Sequence, residues 1–196
     1  MKFRNALITF AFFLSGIYSS GAQIAPVISG SDFKPLIGSW QGTLTYLDYT
    51  SKKPYTMPAN MDIEQIAGGN DFLFKHIYPD EPKANSVDTF SISKNGTVLD
   101  ESTVISKKIL DNGNTQIITE ILGIDGNDKK PALIKRTYTF GGDVFTIRKD
   151  VRFVGQTEYI NRHEYSYKIK KSWVVMIYSN ATLIDVVLKR TKLRKY

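Results

Sequence analysis

No cysteine occurs in the 196 residues, and histidine occurs only at His76 and His163. The first absence excludes disulfides, thiol catalysis, thiolate metal sites and a lipid anchor attached through cysteine. Two histidines fall short of the ligand set of a structural zinc site. Long apolar runs are also scarce. The stretch Ala6–Tyr18 is shorter than the roughly 20 residues a membrane helix uses, and Trp173–Leu188 is interrupted by Ser179, Asn180, Thr182 and Asp185. No part of the chain between them keeps a 3.6-residue apolar period. Several enzyme signatures are missing as well: the Gly-x-Ser-x-Gly elbow, the phosphate loop, the dinucleotide fingerprint and the His-Glu-x-x-His helix. Asp125-Gly126-Asn127-Asp128 lacks the distal Glu of a calcium loop and reads as a hairpin turn.

A basic surface is missing too, despite a formal charge of +7. Residues 1–22 carry +2 and residues 171–196 carry +5, which leaves the body between them neutral. Nucleic-acid binding draws on a basic stripe across the folded domain, and none is visible. The N-terminus has the three parts of a secretory signal: Lys2 and Arg4, the apolar run, and the small residues Ser20-Gly21-Ala22. The expectation is cleavage before Gln23 and export to the periplasm or beyond. The mature protein then has no membrane span, one domain over residues 23–170, and a basic extension over residues 171–196.

Turn signals punctuate that domain at regular intervals: Gly68-Gly69-Asn70, Asn95-Gly96, Asn112-Gly113, Asp125–Asp128, Gly141-Gly142-Asp143 and Gly155-Gln156. Asn-Gly and Gly-Gly tolerate the positive φ of tight hairpins. Between them lie segments rich in Ile, Val, Thr, Tyr and Phe. Strands are expected over 39–49, 57–67, 71–78, 86–94, 97–110 (one strand or two), 115–124, 131–140, 144–154 and 158–170. Connections this short join only antiparallel neighbours. Eight to ten such strands leave two exposed edges unless the sheet closes. The predicted fold is therefore all-β, a single antiparallel up-and-down barrel, with a two-sheet sandwich as the alternative.

Leu36-Ile37-Gly38-Ser39-Trp40 puts a Gly-x-Trp at the start of the first strand. This motif resembles the opening of the lipocalin-like, or calycin, β-barrels, and a bacterial lipocalin-like domain is the closer likeness. The resemblance implies that Trp40 plugs the closed end beside Gly38, and that an Arg of a late strand, Arg162 or Arg136, packs over the indole. It also implies a small hydrophobic or amphipathic ligand inside the barrel. The haem-binding nitrobindin-like barrels are similar in opening with such a strand and placing a His on the last one. That likeness implies haem, with His163 or His76 as axial ligand.

Period-two alternation assigns faces. Trp40, Leu44, Tyr46 and Asp48 share one. So do Phe72, Phe74, His76 and Tyr78, then Ile134, Arg136, Tyr138 and Phe140. Phe145, Ile147, Val151 and Phe153 form another, as do Tyr159, Asn161, His163, Tyr165, Tyr167 and Ile169. A few polar groups among aromatics is the composition of a ligand pocket. The candidate ligand-binding residues are Tyr46, Phe74, His76, Arg136, Tyr138, Asn161, His163 and Tyr165. Satisfied structural histidines and an aromatic core give the same pattern without a ligand. A small barrel isomerase or decarboxylase, with Arg136, Tyr138 and Asp48 converging on a substrate, is the enzymatic alternative.

Overall fold

Alternating β-branched and aromatic residues set the strands, and glycine-bearing turns reverse them. The computed structural model describes residues 25–48, 51, 53–66 and 69–170. The signal-like N-terminus and the basic extension over residues 171–196 therefore lie outside the described residues. Ten antiparallel strands follow in chain order: β1 Gly38–Leu47, β2 Pro54–Gln65, β3 Asp71–Ile77, β4 Ser86–Ser91, β5 Val98–Leu99, β6 Ser102–Ile109, β7 Thr115–Asp125, β8 Lys130–Gly141, β9 Val144–Phe153 and β10 Ile160–Ile169. The segment expected over 97–110 is two strands, broken where Asp100 and Glu101 take left-handed conformations at φ 46° and 63°.

Each strand pairs with its sequence neighbours except across β4 and β5, and β1 also pairs with β10, in the order β4-β3-β2-β1-β10-β9-β8-β7-β6-β5. The free edges of β4 and β5 then meet through the Ile92–Leu99 bridge. Hydrogen bonds from Asp100 N to Ser91 O (2.9 Å) and from Ser93 N to Val98 O (3.0 Å) extend this contact. The result is a nearly closed up-and-down barrel, which removes most of the edge a ten-stranded sheet would expose.

One end is plugged. A short α-helix, Gly30–Phe33, and a 3₁₀ turn, Lys34–Leu36, lead into β1. Pro35 presets φ inside the 3₁₀ turn. Phe33 and Leu36 are 1% exposed, and the Phe33 ring sits 5.8 Å from both Phe72 and Phe140. Trp40, 2% exposed, donates its indole N–H to Leu36 O at 2.8 Å and meets Phe145 edge-on at 5.7 Å. The incoming chain is pinned by Ile28 N donating to Gly96 O at 2.9 Å. Position 96 suits glycine on two counts: its φ is +72°, and a Cβ there would lie 2.3 Å from Ile28 O.

The register corrects one role carried over from the resemblance. Trp40 lies opposite Ile169, seven residues along β10 from Arg162. At the strand rise that is roughly 23 Å. Arg162 instead binds Asp125 at the other end, through Nε at 2.6 Å. Arg136 stands two inward positions beyond Phe140 and donates to Ser102 Oγ at 3.2 Å. The plug covers the indole where an arginine was expected.

Because the plug is part of the core, Phe33→Ala is expected to lower unfolding stability by about 3–5 kcal/mol, the cost of emptying a buried aromatic site. Urea denaturation followed by far-ultraviolet dichroism checks this. An unchanged midpoint would mark the plug as an appendage.

Candidate functional site

Away from the plug the inner wall turns polar. The paired strands lay out one row of inward side chains. Tyr46 of β1 faces His163 of β10, His163 faces Lys149 of β9, Lys149 faces Arg136 of β8, and Arg136 faces Thr119 of β7. Directly opposed residues hold their Cβ atoms about 4.5–5.5 Å apart. The row is therefore a continuous belt, running from half-buried Tyr46 to fully buried Thr119.

A bulge in β10 bounds the belt at His163. The register shifts between Asn161 and His163, so an extra residue enters and the alternation slips. Asn161, expected inside, stands exposed on the outer face, where its Nδ2 reaches Asp150 Oδ1 at 3.3 Å and Lys149 O at 3.4 Å. Tyr159, expected on the same inner face, precedes the strand and donates to Glu120 Oε1 at 3.0 Å, with Lys135 Nζ 3.9 Å above its ring. Arg162 takes up the slack by turning to Asp125, which also receives Lys149 Nζ at 2.6 Å.

The other expected residues fall as follows. Phe74 is fully buried, stacked on Phe90 at 4.2 Å. Tyr138 is 2% exposed with Phe90 edge-on at 6.1 Å. Tyr165 shares a 2.8 Å hydrogen bond between hydroxyls with Tyr78. Both imidazoles pack against its ring, His76 at 5.7 Å and His163 at 5.5 Å. Tyr46 stands at the rim beside Tyr55, 5.5 Å away. The structure thus brings Tyr46, His76, Arg136, His163 and Tyr165 to one half of the barrel interior, with Phe74 and Tyr138 beneath them. Asp48 does not join them. It closes the β1–β2 turn, accepting from Ser51 N at 2.9 Å, so the carboxylate expected beside Arg136 and Tyr138 for catalysis is elsewhere.

Burial governs the electrostatics here. It lowers the His163 pKa to about 4, helped by the positive charges of Lys149 and Arg136 and opposed by Asp125. His76 is lowered by the same loss of solvent, partly offset by Asp88, whose Oδ2 lies 3.3 Å from Nε2. Burial raises the Asp125 carboxyl, but hydrogen bonds from Lys149 and Arg162 outweigh it and hold the group below the ordinary range. Tyr165 and Tyr167 are pushed well up by burial, so both hydroxyls stay protonated. Three buried polar atoms on this inner surface have no hydrogen-bond partner among the described residues: His76 Nδ1, Thr119 Oγ1 and Tyr167 Oη.

Sequence reasoning missed three of these features, and only the first was within its reach. The alternation that selects Ile147 and Val151 selects Lys149 equally, and only its charge argues against an inner position. Thr119 sits on a strand with polar residues on both faces, which hides its direction. Asp125 reads as turn chemistry and proves to be the last inward residue of β7. Another recess, lined by Ser29, Gly30, Lys34, Gln65 and Asn70, opens at the plugged end, away from the belt.

His163 is expected to titrate near pH 4 when its ring protons are followed by NMR, against about 6.5 for a free imidazole. The folded state then binds fewer protons than the unfolded chain between those values. Stability is full above pH 6.5 and is lost as pH falls toward 4. His163→Gln should flatten that part of the pH–stability curve. A His163 pKa near 6.5 would place the ring in solvent.

No family model matches the chain, and no curated protein matches it. Among solved structures it is similar to the crystal structure of Rv2717c from M. tuberculosis, at 13% identity and a TM-score of 0.45, across 74% of this chain and 100% of that one. So remote a likeness adds no functional argument, and the site is read from its own chemistry.

Proposed function

We propose that this is an exported, lipocalin-like binding protein that holds a small amphipathic ligand in the unplugged half of the barrel. The observation that carries the reading is the set of orphaned polar atoms, His76 Nδ1, Thr119 Oγ1 and Tyr167 Oη, in an interior lined by aromatic rings. Leaving such a group buried and unpaired costs about 1–3 kcal/mol, and each one in a native interior calls for a partner. A ligand that brings its own polar atoms satisfies them, while Tyr138, Tyr165, Tyr167 and Leu44 take its apolar body. Few convergent polar groups among apolar walls is the usual make-up of such sites.

The test is saturable binding of a neutral apolar fluorophore such as N-phenyl-1-naphthylamine to the purified protein, one molecule per chain. Leu44 lies on the inner face of β1, so Leu44→Trp narrows the lumen and should weaken binding by about tenfold or more. Equal binding by the variant would mean that the dye sits on the outer surface.

A haem reading has one observation of its own in support. His163 keeps a neutral imidazole down to about pH 4, as an axial ligand requires, and Arg136 and Lys149 beside it suit a porphyrin's carboxylates. His163 would be the ligand and His76 the lesser candidate; bound haem would supply redox or gas-binding chemistry. On this reading haem addition shifts the Soret band and His163→Ala abolishes the shift. A shift that survives both His163→Ala and His76→Ala excludes either ligand.

A further inference from the structure

The belt across β7, β8, β9 and β10 carries more positive charge than its own carboxylates neutralise at contact distance. Lys149 and Arg162 both close on the single carboxylate of Asp125, at 2.6 Å each. Arg136 directly opposes Lys149 across the β8–β9 pair, and like charges in that relation repel. Among the described residues Arg136 makes no ion pair; its hydrogen-bond partner is the neutral hydroxyl of Ser102 at 3.2 Å. Asp100 is a carboxylate that feels Arg136, and no ion pair joins the two among the described residues. On the other side of Arg136 stands Thr119, 0% exposed, whose hydroxyl has no partner.

The surrounding backbone holds this arrangement in place. The β5–β6 turn keeps two consecutive non-glycine residues, Asp100 and Glu101, at positive φ, a conformation that costs free energy at each. That turn presents Ser102, 1% exposed, whose Oγ also donates to Asp100 O at 3.4 Å. Ser102 in turn steers the guanidinium. An arginine with free donors, a buried hydroxyl beside it and a lysine across the strand pair form a converging donor set.

We infer that Arg136, with Thr119 and Lys149, seats the anionic head of the ligand, so that the protein selects carboxylate-headed amphiphiles over neutral or cationic ones of the same length. This rests on the binding reading above and adds the charge and direction of the ligand. The head lies on the Arg136–Thr119 end of the belt, and the tail runs over the aromatic residues. Arg136 supplies a paired N–H fork that matches the two carboxylate oxygens, Thr119 Oγ donates one further hydrogen bond, and Lys149 contributes charge while it remains bound to Asp125.

The experiment compares dodecanoate, dodecyl phosphate, dodecanol and dodecylamine as competitors of N-phenyl-1-naphthylamine at pH 7.5, with sodium acetate and inorganic phosphate as tail-free controls. Wild-type protein should bind dodecanoate about tenfold or more tightly than dodecanol, as a charge-assisted hydrogen-bond pair allows. Arg136→Gln should erase that ratio by weakening dodecanoate while leaving dodecanol within about twofold, and Arg136→Lys should restore part of it. Thr119→Val separates function from structure. It removes an unpaired buried hydroxyl with little change of shape, so it should raise the melting temperature while weakening dodecanoate several-fold. Equal binding of dodecanoate and dodecanol, a preference for dodecylamine, or equal losses for both ligands in Arg136→Gln would each overturn the anionic head while leaving the pocket intact. Tighter binding of dodecyl phosphate than of dodecanoate would replace the carboxylate with a phosphate head. Displacement of the dye by acetate or phosphate alone would show a free-anion site and overturn the amphiphile. Failure of the dye itself to bind would remove the pocket and this inference together.

Discussion

The indole N–H of Trp40 donating to the carbonyl of Leu36 at 2.8 Å is the contact on which the rest of the architecture turns. It ties the helical entry segment across the end of the barrel, so Phe33 and Leu36 fill space that ten strands alone would leave open. With that end sealed by rings of Phe33, Phe72, Phe140 and Phe145, polar inward side chains can be accommodated only towards the other end. The division of the interior into an apolar half and a polar half follows from it. An apolar plug and a charged belt on the same strands would otherwise compete for the same volume, and charges buried without water or partners are expensive.

Most of the fold was legible in the sequence because hairpin barrels are written locally. Turn glycines and period-two alternation each act over a few residues, and neither depends on distant contacts. The strands of the sequence reading match the observed ones to within a few residues, including the doubtful stretch at 97–110, which Asp100 and Glu101 divide. What escaped was non-local or exceptional. The β10 bulge moves Asn161 outward and Arg162 to Asp125 because one inserted residue reverses every face upstream of it. Nothing in Ile160-Asn161-Arg162-His163 marks that insertion. The partner of Trp40 was misjudged for a related reason. Which arginine reaches an indole depends on register across the β1–β10 closure, and register is decided by the whole barrel.

The polar half of the lumen was only partly visible for a different reason. Sequence reasoning treats a charge on an apolar face as an exception to be explained, so His76, Arg136 and His163 stood out. Lys149, of the same parity as Ile147 and Val151, looked like an interruption of the pattern. It is in fact the element that gives the others their character. Lys149 stands between His163 and Arg136 in the register, helps keep the imidazole neutral, and holds Asp125 in an ion pair. Remove Lys149 in thought, and Asp125 keeps only Arg162 as its ion-pair partner.

That competition for carboxylates explains how a neutral domain can hold a locally positive interior. Counted over residues 23–170 the charges cancel, but in space they do not cancel pair by pair. Asp125 is shared by two cations, Asp88 is spent at the mouth against His76, and Asp100 is held in a strained turn short of contact with Arg136. A lysine or arginine on the outer surface would be screened by salt over about 8–10 Å. On the inner wall, next to a fully buried threonine, the same charge acts in a medium of lower polarisability, where its pull on an anion is several-fold stronger. The sheet thus concentrates, at one point of an overall neutral barrel, an attraction that net charge conceals.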